Sequence, residues 1–306
     1  MNYYHRKRRW EHHSGHHYRP HQKNRYKVTR APSWGHRHCH HSYWMASPLK
    51  RMFNKYIPEW TKNPKLLLKV DDIPDEVLWE AHIERKMYLL GYANSQVTKA
   101  LDANTLTIGF ARRAATYKRA QLIFNDMNRL ESLGRNKIQI VFSGKAHPND
   151  SEGKELIRQI VKKSQAMFGK VKIIFLENYN MWLGRMITSG VDVWLNTPLR
   201  PNEASGTSGM KAALNGIPNL SVLDGWWEEG CKDGINGWAV GNPENPNDKK
   251  DANHLYSILE NDVIPTFYED RKKWIKMMKE SIKTGIDFTA HRMIKEYESK
   301  YYKLGE

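Results

Sequence analysis

The chain has little cysteine and no long apolar stretch. Its 306 residues include only two cysteines, Cys39 and Cys231, which are too few for a disulfide framework and favour a reducing cytoplasm. No stretch approaches the roughly 18 consecutive apolar residues of a membrane span. Residues 1–45 are too polar to hold the apolar core of a signal peptide. We therefore expect a cytoplasmic protein with no membrane partner.

Acidic residues are scarce near the N-terminus. Residues 1–41 carry ten Lys and Arg residues against the single acid Glu11, so nine of the sixteen net positive charges lie there. The other seven are spread over a much longer body of mixed charge. This distribution argues against a nucleic-acid partner and suits a moderately basic domain that binds an anionic substrate.

Residues 1–42 also have almost no aliphatic side chains. Val28 is the only Ile, Leu or Val among them, and ten of the fourteen histidines lie here. Such a composition cannot bury enough apolar surface to offset its ordering entropy, so we predict a disordered, basic, His-rich segment. A metal-binding or polyanion-binding arm stays open as an interpretation. We assign no metal site, because no spaced set of Cys and His ligands is present. A tag, an out-of-frame translation or a solvated tail is the simpler explanation.

From about residue 43 the pattern becomes regular. It predicts strands over 106–110, 138–142, 171–176, 191–195 and 220–223, alternating with helices over 117–133, 153–167, 181–188 and 207–214. It also predicts helices over 47–55 and from 75, and a helical last third, 252–302, with an apolar face of Trp274, Ile275, Met277 and Met278. Alternation of this kind is typical of a doubly wound parallel α/β sheet, which binds ligands at the carboxyl ends of its strands.

The most informative segment, residues 200–211, reads RPNEASGTSGMK. The small residues around Gly206 and Thr207 let backbone N–H groups approach an anion closely, and a helix start adds its positive dipole end. We predict Lys211 in the first helical turn, where an ammonium is electrostatically misplaced and imine formation with a carbonyl cofactor would consume it. A small-residue helix start with a solvated lysine is the plain alternative.

A basic cluster follows the first predicted strand. Four cations, Arg112, Arg113, Lys118 and Arg119, lie within eight residues at a strand-to-helix turn. One or two phosphates would compensate them, through the forked guanidinium of Arg113 and the point charge of Lys118. A solvated basic face is the alternative.

Two more polar turns follow predicted strands. Lys145 and His147 lie in the first, SGKAHP, where a structural role and a ligand-binding role stay equally open. Tyr179 lies in the second, ENYN, where its ring could pack on a flat ligand; a buried tyrosine with a satisfied hydroxyl is the alternative. Together with the segment 200–211, these turns suggest two phosphate-like groups, a flat carbonyl compound on Lys211 and a polar substrate held by Glu203.

These motifs also resemble a known family. From about Trp44 to the C-terminus the chain is similar to the C-terminal half of an α-glucan (glycogen, maltodextrin or starch) phosphorylase of the shorter bacterial and archaeal type. The matching strings occur in the family order: IGFARRAATYKRA, VFSGKAHP, FLENYN and RPNEASGTSGMKAALNG. The resemblance implies a retaining glycosyltransferase of GT-B architecture that converts α-1,4-glucan and inorganic phosphate to glucose 1-phosphate, and it allows a homodimer.

The resemblance further implies pyridoxal 5′-phosphate as cofactor, used through its phosphate. Lys211 would hold the cofactor as a Schiff base, and the cofactor's other contacts would be Gly206, Thr207, Arg112 and Tyr179. Catalytic contacts to inorganic phosphate would come from Arg113 and Lys118, and glucosyl contacts from Glu203, Ser205 and Gly206. The substrate phosphate would protonate the glycosidic oxygen and regain its proton from the cofactor phosphate.

The sequence departs from the family in two places. Long-chain members usually carry Lys and Arg where this chain has Arg112 and Asn180, so one cofactor-phosphate contact is expected to be lost or replaced. The resemblance covers only residues 43–306, and it implies that the N-terminal GT-B domain is absent, so that the lone chain would fold but be catalytically silent.

Two other functions remain open at this stage. A nucleotide-sugar-dependent GT-B enzyme, similar to glycogen synthase, would need a second glutamate where this chain has Lys211. A truncated, non-catalytic glucan-binding or polyanion-binding module would need no chemistry at all.

Overall fold

The computed structural model describes residues 41–98 and 100–302. Six strands are present there: β1 (Leu106–Arg113), β2 (Ile138–Lys145), β3 (Lys172–Leu176), β4 (Val193–Asn196), β5 (Asn219–Val222) and β6 (Gly237–Val240). The α-helices in the same ranges are α1 (His41–Trp44), α2 (Ser47–Tyr56), α3 (Asp75–Gln96), α4 (Met127–Gly134), α5 (Ser151–Ala166), α6 (Met181–Gly190), α7 (Thr207–Leu214), α8 (Trp227–Gly230), α9 (Asp248–Ile258), α10 (Ile264–Glu269), α11 (Arg271–Ile286) and α12 (Ala290–Tyr297).

The segment predicted to be disordered, residues 1–42, lies outside the described residues except at its end. α1 begins at His41, two residues before the predicted boundary. The His41 side chain is buried, with Nε2 3.1 Å from the carbonyl oxygen of Thr61 and its ring edge-on to Trp60. His41 is therefore part of the folded structure.

The six strands form one sheet in the order β3-β2-β1-β4-β5-β6, and every neighbouring pair is parallel. This order confirms the predicted doubly wound α/β fold. β2 and β3 lie on one side of β1, and β4, β5 and β6 lie on the other side, so the order of the strands changes direction between β1 and β4. Such a switch point opens a crevice at the carboxyl ends of the strands.

Apolar side chains cover both faces of the sheet. Ile140 and Phe142 of β2 pack into one core with α9 and α11, while Val141 between them packs into the other with α3 and α6. Strands buried on both faces are expected in a parallel sheet, because successive side chains point to opposite sides. This burial explains the continuous apolar runs in the sequence.

The predicted helix over 117–133 is wrong in its first half. That stretch contains two short 3₁₀ turns, Thr116–Lys118 and Leu122–Phe124, before α4 begins. Arg119, between them, has a left-handed φ of 46°. Its guanidinium donates to the carbonyl oxygens of Thr197 (3.0 Å) and Pro198 (2.9 Å) and pairs with Asp251 (2.7 Å). These tertiary bonds outweigh the local helical pattern.

The sixth strand was not predicted. β6 begins at Gly237, where a side chain's Cβ would lie 2.3 Å from the carbonyl oxygen of Asn219 on β5. Only glycine lets the two backbones approach so closely, yet glycine weakens a strand pattern in the sequence. β1 and β2 also run three residues past their predicted ends, to Arg113 and Lys145.

Helices make up the last third, as predicted. The expected apolar face of α11 is buried at all four positions, Trp274, Ile275, Met277 and Met278. Among the described residues no helix has both the length and the apolarity needed to cross a bilayer.

A buried ion cluster attaches α3 to the sheet. The Asp192 carboxylate, just before β4, accepts from Lys86 Nζ (2.6 Å) and the Thr107 N–H (2.8 Å), and its other oxygen lies 2.8 Å from His82 Nε2. Burial alone would raise the pKa of Asp192, but the Lys86 charge and the bonds from His82 and Lys86 outweigh burial and lower it. The ionised carboxylate is therefore part of the folded structure.

Candidate active site at the carboxyl edge of the sheet

The sheet's switch point brings a guanidinium and a carboxylate together. Arg112 near the end of β1 donates from Nη1 to Asn196 Oδ1 at the end of β4 and from Nη2 to Glu203 Oε2 (3.0 Å). The pairing of β1 with β4 sets the first contact, and the loop after β4 carries Glu203 back over the strand ends. Two segments distant in sequence, the end of β1 and the stretch from Asn196 to Glu203, thus meet at the edge where this fold binds ligands.

Glu203 is the centre of the cluster. Lys118 Nζ donates to the same oxygen, Oε2, at 2.5 Å, so that two cations share one carboxylate oxygen. Oε1 makes no hydrogen bond with any of the described residues. All three side chains are at least about nine-tenths buried. Because two cations face one anion, the cluster retains an unbalanced positive charge that favours a further anion.

Arg112 is held in an environment of low polarity. Burial lowers the pKa of its guanidinium, and the neighbouring Glu203 opposes that shift. Its Nε is buried and lacks a hydrogen-bond partner among the described residues. Nearby, burial raises the pKa of Tyr179, and the Arg112 charge opposes this shift too, so the tyrosine lies within electrostatic reach of the guanidinium. A buried N–H group without a partner is expected where a ligand supplies the acceptor.

Asp224 fixes the loop that carries Glu203. Its carboxylate accepts from the Glu203 N–H (2.9 Å) and the Gly225 N–H (2.9 Å), and the Trp226 N–H donates to the Ser205 carbonyl oxygen (2.8 Å). Asp224 and Trp226 are fully buried. Residues 203–205 are therefore clamped onto the turn after β5, which gives the Glu203 carboxylate a defined position.

A turn of small residues leads into α7, as predicted, and its binding of an anion stays a prediction. Gly206 takes a left-handed φ of 83° immediately before Thr207, the first helical residue. At Gly209 a Cβ would lie 2.5 Å from Asn219 Oδ1 and 2.6 Å from Trp226 Nε1, so a small residue is required for the helix to pack there. The first N–H groups of a helix have no partner within the helix and lie at its positive end, so a turn of this form suits an anion.

Lys211 lies in the second turn of α7, not in the first. It is the fifth of eight residues, so the argument from an ammonium misplaced at the helix start does not apply. Its Nζ lies 3.5 Å from the centroid of the Trp44 ring, and the side chain is half-buried. The ring holds the ammonium by a cation–π contact and limits the directions that Lys211 can take.

The remaining predicted residues are placed differently. Arg113 at the end of β1 is exposed, and its side chain makes no hydrogen bond or ion pair with the described residues. Lys145 is exposed at the end of β2, and His147 Nδ1 accepts from the Asn149 N–H, as expected for a structural turn residue. Asn180 caps α6 by accepting from the Leu183 N–H (2.9 Å). Within the described ranges no cluster of His, Cys, Asp or Glu is arranged to hold a metal ion.

Three members of the site escaped the sequence analysis: Asn196, Asp224 and the ring of Trp44. Asn196 ends a strand at the switch point, and the rule that sites lie at carboxyl ends would have indicated it. Asp224-Gly225 is an ordinary turn signal that gives no hint of its bond to Glu203. The contact of Trp44 with Lys211 spans 167 residues and leaves no local pattern.

The sequence is similar to those of known proteins. The model of a family described as carbohydrate phosphorylase matches residues 43–229. Maltodextrin phosphorylase from Thermococcus litoralis is 46% identical over 288 residues, which cover 86% of this chain and 34% of the relative. Glycogen phosphorylase from Aquifex aeolicus is 42% identical, with 86% and 42% covered, and glycogen phosphorylase from Mycobacterium tuberculosis is 44% identical, with 67% and 25% covered. The chain thus spans 25% to 42% of the length of these relatives.

Proposed function

Since the chain belongs to the carbohydrate phosphorylase family, we propose that it forms the cofactor-binding and phosphate-binding part of an α-glucan phosphorylase. The reaction is the phosphorolysis of an α-1,4-glucan to glucose 1-phosphate, with retention at the anomeric carbon. The relatives named maltodextrin and glycogen phosphorylase support this choice of substrate. The observation that carries the proposal is the buried cluster in which Arg112 and Lys118 share one oxygen of Glu203.

The residues present fit pyridoxal 5′-phosphate. Lys211 offers a half-buried amine against Trp44, and the turn at Gly206 and Thr207 offers backbone donors for a phosphate. Arg112 adds a cation with an unused buried N–H, so it can take the place of the lysine that long-chain members carry. Tyr179, within electrostatic reach of Arg112, is assigned to the cofactor's ring. When bound, the cofactor supplies a phosphate that can exchange a proton with the substrate phosphate.

Inorganic phosphate is assigned to Arg113 and Lys118. The exposed Arg113 guanidinium donates none of its five N–H groups to the described residues, and Lys118 comes from the turn that follows the same strand. A phosphate that enters the cluster can take over Lys118 Nζ from Glu203 Oε2, because a dianion competes well for a cation already at hydrogen-bond distance. The two cations then hold the nucleophile and reduce its repulsion from a second phosphate nearby.

The glucosyl unit is assigned to Glu203, Ser205 and Gly206. Glu203 Oε1, free of hydrogen bonds with the described residues, can accept from a sugar hydroxyl while Oε2 keeps its cation. Asp224 holds the backbone of this loop, so the carboxylate need not reorganise when the sugar binds. These residues orient the sugar, and enclosure of the reacting carbon would exclude water.

The nucleotide-sugar alternative is less well supported. In that class a second carboxylate accepts hydrogen bonds from the nucleotide ribose, but this chain has the ammonium of Lys211 against an indole ring instead. A protonated amine cannot accept those bonds. A cytoplasmic location and a homodimer stay predictions of the sequence and the resemblance.

We expect Arg113→Ala to weaken the binding of inorganic phosphate by at least about tenfold, because a charged hydrogen bond contributes roughly 1.5–3 kcal/mol. Calorimetric titration of phosphate into the pyridoxal-phosphate-loaded chain measures this change. The matched control is Lys172→Ala, which removes an exposed charge at the opposite end of the sheet, on β3, and should leave the affinity unchanged. Equal phosphate affinities for the wild type and Arg113→Ala would show that Arg113 does not bind phosphate and would support the alternative, a solvated basic face.

A further inference from the structure

One cation of the turn after β1, Arg119, has no part in the proposed phosphorolysis. Its side chain is only 7% exposed, and its Nη1 donates to two carboxylates of α9, that of Asp251 at 2.7 Å and that of Asp248 at 2.9 Å. These two carboxylates compensate the charge of the guanidinium from within the protein. Arg119 is therefore poorly placed to bind a phosphate, and its bonds indicate a role in holding other residues in place.

Arg119 connects the turn after β1 to the loop after β4. Its Nε donates to the Thr197 carbonyl oxygen at 3.0 Å, and its Nη2 donates to that of Pro198 at 2.9 Å. The loop also bonds to the turn, because the Thr197 hydroxyl lies 3.0 Å from the Arg119 carbonyl oxygen and 3.2 Å from that of Lys118. The two segments are thus joined by bonds in both directions. We call this reciprocal set of bonds the Arg119 brace.

The carboxylate that anchors the Arg119 brace on α9 is itself fixed. Asp251 is buried, and while its Oδ2 accepts from Arg119, its Oδ1 packs so closely on Gly241 that a Cβ there would lie 2.5 Å away. Arg119 has a left-handed φ of 46°, which is uncommon for a residue other than glycine. Such a conformation persists where the surrounding bonds determine it, and it is found most often beside functional sites. The brace is therefore a rigid support.

The Arg119 brace lies next to both members of an ion pair in the candidate active site. Lys118 directly precedes Arg119, and its Nζ donates to Glu203 Oε2 at 2.5 Å; Glu203 lies on the loop whose start is held by the brace. We propose that Arg119 is a positioning residue, which fixes the Lys118 ammonium for inorganic phosphate. This role rests on the proposed function, in which Lys118 binds that phosphate. A lysine at position 119 would keep the charge but lose the fork that reaches two carbonyl oxygens.

Double-mutant cycles test this role by calorimetric titration of inorganic phosphate into the full chain loaded with pyridoxal phosphate. We expect Arg119→Lys to weaken phosphate binding at least about fivefold, a size typical of coupling within one hydrogen-bond network. In a Lys118→Ala background Arg119→Lys should have no further effect, because the group that it positions is gone. In an Arg113→Ala background the full loss should persist. Thr197→Val, which removes the hydroxyl of the brace, should also weaken binding, and only while Lys118 is present.

Two controls separate positioning from a general loss of structure. Reductive trapping of pyridoxal phosphate on Lys211 with borohydride should be unchanged in Arg119→Lys. Arg129→Lys is the matched substitution, because Arg129 also bonds to α9, through Ser257 Oγ at 3.1 Å, while none of its side-chain bonds to the described residues reaches the brace. It should leave the phosphate affinity unchanged.

The outcomes distinguish this proposal from the proposed function. Unchanged phosphate affinity in Arg119→Lys, or an equal loss with and without Lys118, would overturn the positioning role and leave the proposed function in place. A parallel loss of phosphate binding and of trapping on Lys211 would overturn it as well. If Arg119→Lys does not fold, the cycle of Thr197→Val with Lys118→Ala decides. If Lys118→Ala itself leaves phosphate affinity unchanged, the phosphate assignment fails and the positioning role fails with it.

Discussion

Lys211→Ala is expected to abolish the covalent capture of pyridoxal phosphate by this chain when the mixture is reduced with borohydride. Lys211 is half-buried against Trp44, one turn from the Gly206–Thr207 turn to which we assign the cofactor phosphate, whereas many other lysines are exposed to solvent. Only an amine next to a phosphate cradle benefits from both the bond to the cofactor and the bonds to its phosphate. Mass spectrometry of tryptic peptides measures the label at each lysine.

The control for that experiment is Lys145→Ala. Lys145 is an exposed lysine at the same edge of the sheet, at the end of β2, so its loss removes an equal charge nearby. Labelling of Lys211 should survive this change. If the label is spread over surface lysines and is unaltered in Lys211→Ala, the assignment of Lys211 to the cofactor is wrong.

Of the substitutions proposed, Asp192→Asn should lower the free energy of unfolding the most. The substitution keeps the shape of the side chain but leaves the fully buried Lys86 ammonium without its counter-ion. Removing one partner of a buried ion pair costs about 3–5 kcal/mol, since the other charge stays desolvated. Urea denaturation measures the loss. Asp71→Asn is the matched control, because Asp71 pairs with Lys283 at the surface, and there the cost should be below about 1 kcal/mol.

The contribution of Asp192 should also depend on pH. Its pKa is lowered in the folded state, so the stabilisation is fully present above the ordinary aspartate value of about 3.9. It is lost as pH falls through the lower pKa of the folded protein. The difference in unfolding free energy between the wild type and Asp192→Asn should therefore shrink in acid. A difference that is constant from neutral pH down to the acid limit of folding would contradict this account.

The sequence predicted the parts of the fold that local patterns determine. Buried strands such as 138–142 and the small-residue turn before α7 are recognisable because their composition follows directly from double-sided burial and from close backbone approach. The cations of the turn after β1 were also recognisable as a group. Their individual roles were not, since Arg119 proved to be bonded to Thr197, Pro198 and Asp251.

What the sequence could not predict depends on contacts between distant residues. The ion pairs of Glu203 with Arg112 and Lys118 connect residues more than eighty positions apart. The hydrogen bond from the Glu203 N–H to Asp224 depends on the packing of one loop on another. The helix start at Thr207 was predicted correctly, but Lys211 is the fifth helical residue and so lies in the second turn, not in the first.

The central claim is that the edge formed by Arg112, Glu203, Gly206 and Lys211 is a pyridoxal phosphate site with room for a second phosphate. A crystal structure of the chain with pyridoxal phosphate and inorganic phosphate tests it most directly. We predict continuous density from Lys211 Nζ into the cofactor, the cofactor phosphate at the N–H groups of Gly206 and Thr207, and a second phosphate on Arg113 and Lys118. A cofactor bound elsewhere, or an unmodified Lys211 beside an intact Arg112–Glu203–Lys118 cluster, would contradict the claim.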